Sequence, residues 1–490
     1  MILPDWAAKF KEKNREVRLL RGNYYLYEKY YEYSSEKKKK VLKTGAYLGT
    51  ITPQGLTPKK ISFAADKLQV QKSYGSVAFV SSISQDILET LRDVFKTEKI
   101  ADTIYTISLL RCLNETPFKR IQRDYDHSYI SEMLPNLGLS SSHISRTMET
   151  IGDRRDLIVE TMNRISNASN NIIIDGSKIK SWSKNMSFPK VGHNHDGSWT
   201  PQVNSIYVFS TEPTIEPVFY RCITENIPDI KALELTLLER NKDVNYTLVA
   251  DTGFSSEENI NLLNGLNVKY IIPLNRNSLE AKGIVCDNKT ASAAFTFHKK
   301  MITAFDIEKD GYRIIIFLDA VKKSAELSDM VGRIEEKNEK ICASKNLNIR
   351  KSKILNPVEE MSNKAKQCGA IIIKTNKEDS PQKIYELYKQ RMQIEQNFVT
   401  LKNILGEDSS YMHNNKTFEC WCFFNHISLL LAYRVLNILR RENLASSYSL
   451  TDVFTELGDI YKQKFGETWL TTKITKKTKL LCTRLGFLSD

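Results

Sequence analysis

Two short runs of strand-forming residues in this chain each close on an aspartate: Asn171-Ile172-Ile173-Ile174-Asp175 and Tyr246-Thr247-Leu248-Val249-Ala250-Asp251. A carboxylate at the end of a buried strand is costly unless it meets a cation or hydrogen-bond donors. One such aspartate reads most simply as a turn cap. Two of them, each closing a strand of one sheet, leave a shared metal equally open. The surrounding pattern predicts strands at 203–209, 217–223 and 269–274, with helices at 230–238 and 257–263. Three strands, a helix, a strand, a helix and a strand describe a mixed α/β layer, and such layers carry their chemistry at strand ends.

A third element stands far downstream. Ser380-Pro381 is a helix start, with serine as N-cap and proline at the first helical position. The helix then carries Tyr388, Arg391, Glu395, Phe398 and Lys402, at successive offsets of 3, 4, 3 and 4. At about 100° per residue these five share one narrow stripe, and four are polar. Leu387, Ile394 and Leu401 form an apolar edge alongside, enough to anchor the helix. The polar stripe is then either a solvated face or a face turned toward something charged. On a solvated face Arg391 and Glu395 would form an i,i+4 pair, worth only about 0.3–0.5 kcal/mol. Anchoring by the apolar edge implies that Arg391→Ala and Lys402→Ala leave thermal unfolding nearly unchanged.

Taken together, Asp175-Gly176-Ser177, Asp251-Thr252-Gly253-Phe254 and Tyr388-x2-Arg391-x3-Glu395-x6-Lys402 resemble the DDE transposases of bacterial insertion sequences, most of all the group with the Tyr-Arg-Glu-Lys signature. The resemblance covers about residues 165–435. It implies a ribonuclease H-like mixed-sheet catalytic domain with a β-rich insertion before the last acidic residue. It also implies that Asp175, Asp251 and Glu395 are catalytic and hold two Mg²⁺ ions, which Mn²⁺ can replace. Oxygen donors with few carboxylates suit Mg²⁺, and the lack of a nearby His or Cys cluster argues against zinc. Tyr388, Arg391 and Lys402 are the implied DNA contacts. The implied activity is cleavage at transposon ends followed by transfer of the freed 3′-OH into target DNA. The alternatives are a ribonuclease H-like nuclease without strand transfer and a non-catalytic DNA-binding descendant. The best-studied relatives place a tryptophan in the insertion to hold a flipped base. Here the five tryptophans are Trp6, Trp182, Trp199, Trp421 and Trp469, all outside it, leaving either Phe295, Phe297 or Tyr312 as substitutes or no flipped base at all.

The rest of the chain divides accordingly: a β-rich region at 1–80, a helical DNA-binding region at 81–168, catalytic domain at 169–276 and 377–435, insertion at 277–376, and a helical region at 436–490. Within the first, 23–33 and 46–52 read as strands around a basic turn at Lys37 to Lys40, an ordinary exposed hairpin or a DNA grip. Within the second, a short helix at 129–134, a turn at 137–140 with Gly138 at the helix exit and a helix carrying Ile144, Met148 and Ile151 resemble a helix-turn-helix. Strands are expected at 293–302, 311–317 and 369–375, with a charged helix at 321–340 and an irregular basic run at 345–353. From Ser380 onward the chain reads as helical.

Lysine and arginine total 71 against 58 acidic residues, a net charge of +13 that suits a polyanionic partner. The expected partners are double-stranded DNA, as terminal inverted repeats and target, and a second copy of the chain. The eight cysteines are scattered and read as small buried hydrophobes. His193 and His195, in a Gly-rich loop, read as a solvent-facing turn. No apolar run approaches about 18 residues and the N-terminus lacks a signal-peptide layout, so no membrane span and a cytoplasmic, nucleoid-associated location are expected.

Overall fold

The computed structural model describes residues 3–34, 39–59, 68–166, 171–193, 197–223, 229–240, 246–276, 278, 280, 291–343, 367–404 and 409–487, with only the backbone described at 395–404. The chain forms two compact units, residues 1–71 with 463–470, and 72–462 with 471–490.

The first unit holds an antiparallel meander of β1 (Arg15–Leu20), β2 (Asn23–Ser34), β3 (Lys39–Thr52) and β4 (Gly55–Pro58). Its small core is Ala7, Leu26 and Ile51, lined by Trp6, Phe10, Val17 and Tyr24. Lys39 and Lys40, expected in a turn, belong to strand β3. Lys37 and Lys38 lie outside the described residues. A separate three-stranded sheet brings together β5 (Leu68–Ser73) and two strands from the C-terminal region introduced below.

The second unit is built on one large mixed sheet. Its central part consists of β6 (Asn171–Ser181), β8 (Trp199–Ser210), β9 (Glu216–Ile223), β10 (Thr247–Val249) and β11 (Lys269–Pro273), with the short β7 (Lys190–His193) on the other half of β8. The spatial order is β9-β8-β6-β10-β11. Strands β6, β8 and β9 form an antiparallel meander, whereas β10 and β11 run parallel to β6. The helices Asp229–Glu239 and Glu257–Gly265 make the crossovers. This is the expected α/β architecture.

The insertion does not interrupt the sheet but extends it. β15 (Ala370–Thr375) pairs antiparallel with β11, and β14 (Tyr312–Asp319), β13 (Lys300–Lys309) and β12 (Ala293–Phe297) follow outward. The strand expected at 293–302 is in fact two. A two-residue turn splits it, with His298 and Lys299 at φ 46° and 63°. Type I′ turns usually announce themselves by Asn or Gly, so His-Lys gave no sequence signal. The charged helix forms as Ala320–Ala343. The basic run at 345–353 lies outside the described residues.

The C-terminal part is not purely helical. After the helix Pro381–Ile404 comes β16 (Ser409–Ser410), which adds to β6, and later the hairpin β17 (Tyr461–Phe465) and β18 (Thr468–Thr471). These strands are short; β16 is two serines, β17 alternates lysines with Tyr461, Gln463 and Phe465, and β18 offers only Trp469 and Leu470 side by side, so none shows a long apolar alternation. Between them runs the helix Asn415–Arg441, which fills the core with Phe418, Trp421, Phe423, Phe424 and Leu431. It alone among the described helices is long and apolar enough to cross a membrane, and 78% of its apolar window is buried within the protein. The six described cysteines are all buried, Cys222 and Cys422 with their sulfurs 3.4 Å apart.

The helix-turn-helix-like segment consists of Ile130–Met133 and Ser141–Gly152, with Ser140 as N-cap and Ile144, Met148 and Ile151 buried. The left-handed residue of its turn is Asn136, at φ 62°, rather than Gly138. The end of the second helix abuts the core helix so closely that a β-carbon at Gly152 would lie 1.8 Å from the Lys416 carbonyl oxygen. A partly buried ion cluster ties neighbouring elements to the same helix. Arg155 donates to Glu419 at 2.7 Å, Glu239 at 3.1 Å and the Tyr220 carbonyl at 2.8 Å. His426 lies buried beside it, and burial first, then the Arg155 charge, push its pKa down to about 3.

Two outcomes follow. Gly152→Ala should destabilise the protein by about 1–3 kcal/mol through overpacking, read as a lower urea midpoint at unchanged m. His426 is neutral when folded and titrates near 6.5 when unfolded, so its contribution is intact above pH 6.5 and is lost as pH falls toward 3. His426→Phe should therefore flatten the acid limb of stability against pH by about 1.4 kcal/mol per pH unit in that window. Urea midpoints measured from pH 7 to pH 4 check this, and parallel limbs would refute it.

Candidate functional site

Strand register alone brings two of the expected acids together. β6 and β10 are parallel neighbours with Ile173 opposite Val249. Two residues further along each lie Asp175 and Asp251, on the same side of the sheet by strand alternation. The sequence places both at strand ends, and here the structure differs. β6 runs on to Ser181, so Asp175 is mid-strand, paired with Tyr207 of β8. Its other edge nevertheless loses its β10 partner after Ile173, which opens the space beside Asp175. Asp251 does follow the end of β10, and its carboxylate also accepts from the Thr252 amide at 2.6 Å, capping the short 3-10 turn Thr252–Phe254. The turn cap and the shared site are thus compatible for this residue.

The helix Pro381–Ile404 supplies the third component. The Ser380 hydroxyl accepts from the Lys383 amide at 3.4 Å, the expected N-cap. Leu387 and Ile394 are buried as the apolar edge predicts. Arg391 is not on a solvated face. It is 5% exposed, and its Nη2 lies 3.4 Å from Asp251 Oδ1 and 3.9 Å from Asp175 Oδ1. One guanidinium nitrogen thus stands within ion-pair distance of both sheet carboxylates. Asp175 is 16% exposed and Asp251 51%, so the pair opens toward solvent on the Asp251 side. Tyr388 is half-buried against the core one turn earlier. Glu395 and Lys402 occupy the helix about one and about three turns beyond Arg391, and their side chains, with that of Phe398, lie outside the described residues.

The donor chemistry fits a hard divalent cation. The two convergent groups offer only carboxylate oxygens, and the structure already sets a cationic group between them, the condition under which paired carboxylates are tolerated. Among the described residues no cluster of three His, Cys, Asp or Glu side chains occurs. His193 and His195 lie outside the described side chains.

Several neighbours were invisible in the sequence because tertiary packing assembles them. Tyr385 is 1% exposed and sits among Phe295, Phe297 and Phe317, at ring separations of 5.6, 5.3 and 4.9 Å. Two of the three aromatics considered as base holders, Phe295 and Phe297, are therefore packed on this helix. The third, Tyr312, donates to Glu280 at 3.0 Å, with Lys374 4.1 Å above its ring. Lys389, half-buried, has its pKa lowered by burial and then by the charges of Lys322 and Lys300, with Asp319 opposing. The insertion thus lends a basic margin to the helix that bears Arg391.

The profile of the family described as "Transposase DDE domain" matches residues 168–431. No curated protein matches the chain. Among solved structures, the piggyBac transposase synaptic complex with hairpin DNA aligns with a TM-score of 0.40 at 9% identity, covering 79% of each chain. The family match spans more than half of the chain, including Asp175, Asp251 and the whole Pro381–Ile404 helix, and on that basis the chain belongs to the transposase DDE-domain family.

Proposed function

We propose that this chain is the DNA transposase of an insertion sequence, cutting DNA at the element's ends and joining the freed 3′-OH to target DNA. One observation carries the reading: Asp175 and Asp251 stand side by side within ion-pair reach of Arg391, which lies one helical turn before Glu395. Asp175, Asp251 and Glu395 would hold two divalent cations, Mg²⁺ or Mn²⁺, and such a pair, when bound, activates an oxygen nucleophile and stabilises the leaving oxygen at phosphorus.

The remaining work falls to the chain's own side chains. Arg391 offsets the charge of the two aspartates, and its planar fork suits a phosphate equally well. Tyr388 donates to a phosphate or stacks on a base, and Lys402 grips the backbone further along the helix. Lys300, Lys322 and Lys389 add positive charge where DNA would pass. The helical region at 81–168, with its helix-turn-helix-like segment, serves end recognition. Ser142, Ser145 and Arg146 are exposed on its second helix. Joining two ends requires both to be held at once, so the working form is a homodimer on terminal inverted repeats, acting in the cytoplasm at the nucleoid.

Asp175→Asn, Asp251→Asn and Glu395→Gln should each abolish cleavage and strand transfer of labelled element ends while DNA affinity stays within a few-fold. Retained transfer in any of them would overturn the proposed site. Transfer that fails in the unmodified protein, with end cleavage intact, would reduce the reading to a nuclease. For Arg391, burial between two carboxylates changes the expectation of an unaltered melting temperature. Arg391→Ala should lower it by several degrees without divalent cation, because the aspartates then repel each other undamped. Millimolar Mg²⁺ should restore more of the melting temperature in this variant than in the unmodified protein, checked by thermal unfolding at matched ionic strength.

A further inference from the structure

We infer that one face of the β2–β3 ribbon is a second DNA-binding surface, separate from the carboxylate site, that grips duplex DNA by its phosphates; this rests on the transposase reading above.

Strand β1 pairs β2 only over residues 23–28, and β4 pairs β3 only over 49–52. Beyond those limits, and apart from the Lys29 amide donating to the Asn14 carbonyl at 3.0 Å, residues 29–34 and 39–44 pair with each other as a two-stranded ribbon of six residue pairs, about 20 Å long. Its two faces differ in kind. The even positions of β2 begin with Tyr24 and Leu26 on the small core, where Trp6 packs edge-on against Tyr24 at 5.0 Å. Toward the tip this face carries Glu32 and Lys43, joined in an ion pair of 2.5 Å.

The odd positions are Tyr25, Tyr27, Lys29, Tyr31 and Tyr33. Their cross-strand partners are Thr50, Tyr47, Thr44, Leu42 and Lys40. Tyr47 lies 5.8 and 5.4 Å from the Tyr25 and Tyr27 rings, and the Arg18 guanidinium sits 5.5 Å from the Tyr27 centroid. Toward the tip the same face exposes Tyr31 at 67%, Tyr33 at 65% and Leu42 at 46%. At the Lys29–Thr44 pair the Glu16 carboxylate accepts from the Thr44 hydroxyl at 3.1 Å, and from Tyr31 outward the face carries Lys40 and no described carboxylate.

A row of exposed tyrosines on a ribbon that no third strand supports loses apolar contact to water and needs a reason. Charge selects the partner. Residues 29–44 hold six lysines against two glutamates, and the one described ion pair between them lies on the opposite face. Tyrosine hydroxyls and lysine ammoniums are donors to phosphate oxygen, ring faces pack on sugars, and a two-stranded ribbon is narrow enough for a major groove about 12 Å wide. A contact to phosphates is indifferent to base sequence, so the ribbon would hold DNA beside the recognised ends without reading it.

The test uses the full chain and duplex DNA carrying an element end, with affinity followed by fluorescence anisotropy from low to moderate salt. Tyr31→Ser with Tyr33→Ser and Lys40→Ser should weaken binding about tenfold at low salt and reduce the slope of log K against log salt by about one. Glu32→Ser with Lys43→Ser, on the opposite face, should stay within about twofold. Matched melting temperatures establish that both variants are folded. Unchanged affinity in the first variant, or equal loss in both, overturns the inference. So does a first variant that loses self-association while a single chain's affinity for DNA is kept, which would make the face a protein interface. Failure of the inference is separable from failure of the transposase reading. In the former the unmodified protein still cuts and joins ends; if it neither binds nor acts on DNA, both fall.

Discussion

The parallel pairing of β6 with β10 is the constraint on which the rest depends. Setting Ile173 opposite Val249 fixes Asp175 and Asp251 as neighbours before any side chain is considered. Strand alternation then gives both carboxylates the same side, and their mutual repulsion calls for positive charge between them. The helix Pro381–Ile404, held by Leu387, Ile394 and the aromatic seat around Tyr385, delivers that charge through Arg391. The sheet supplies position and the helix supplies neutralisation, so neither half makes a site alone.

The insertion acts within the same frame. Because β15 continues the sheet from β11, the strands bearing Phe295, Phe297 and Lys300 are laid down in register with those bearing the aspartates. Its aromatics seat the helix and its lysines border it. An inserted segment that merely looped out would need its own core. Here Ile302, Ala304, Ile315, Phe317, Ile371 and Ile373 join the main core, while Ile314, Ile316, Ala370 and Ile372 form a smaller cluster with Leu274.

Much of this was legible in the sequence, and the reasons for the exceptions are physical. Asp251 at the end of β10 and the unbroken helix under the 3-4-3-4 spacing are local patterns, and both are present in the fold. Asp175 looked terminal because Gly176 follows it, yet β8 and β16 supply partners that carry β6 on to Ser181. The His298-Lys299 turn lacked the usual residues, so two strands read as one. The role of Arg391 was beyond pattern altogether. An i,i+4 glutamate offered a plausible partner on the same helix, while the partners the fold provides, Asp175 and Asp251, lie on strands far away in sequence.

The core helix Asn415–Arg441 has a consequence for how the chain is born. Arg111 donates to Asn425, 314 residues downstream, and the Ser108 carbonyl accepts from Ser428, 320 residues downstream. The helices Glu98–Asn114 and Ser141–Gly152 present apolar faces to a partner that is translated long after them, as those separations show. Contacts of such long range are slow to close. Until then the nascent chain carries those faces uncovered, which makes the interval of translation, rather than the finished fold, the time at which this protein is most exposed to aggregation and to chaperones.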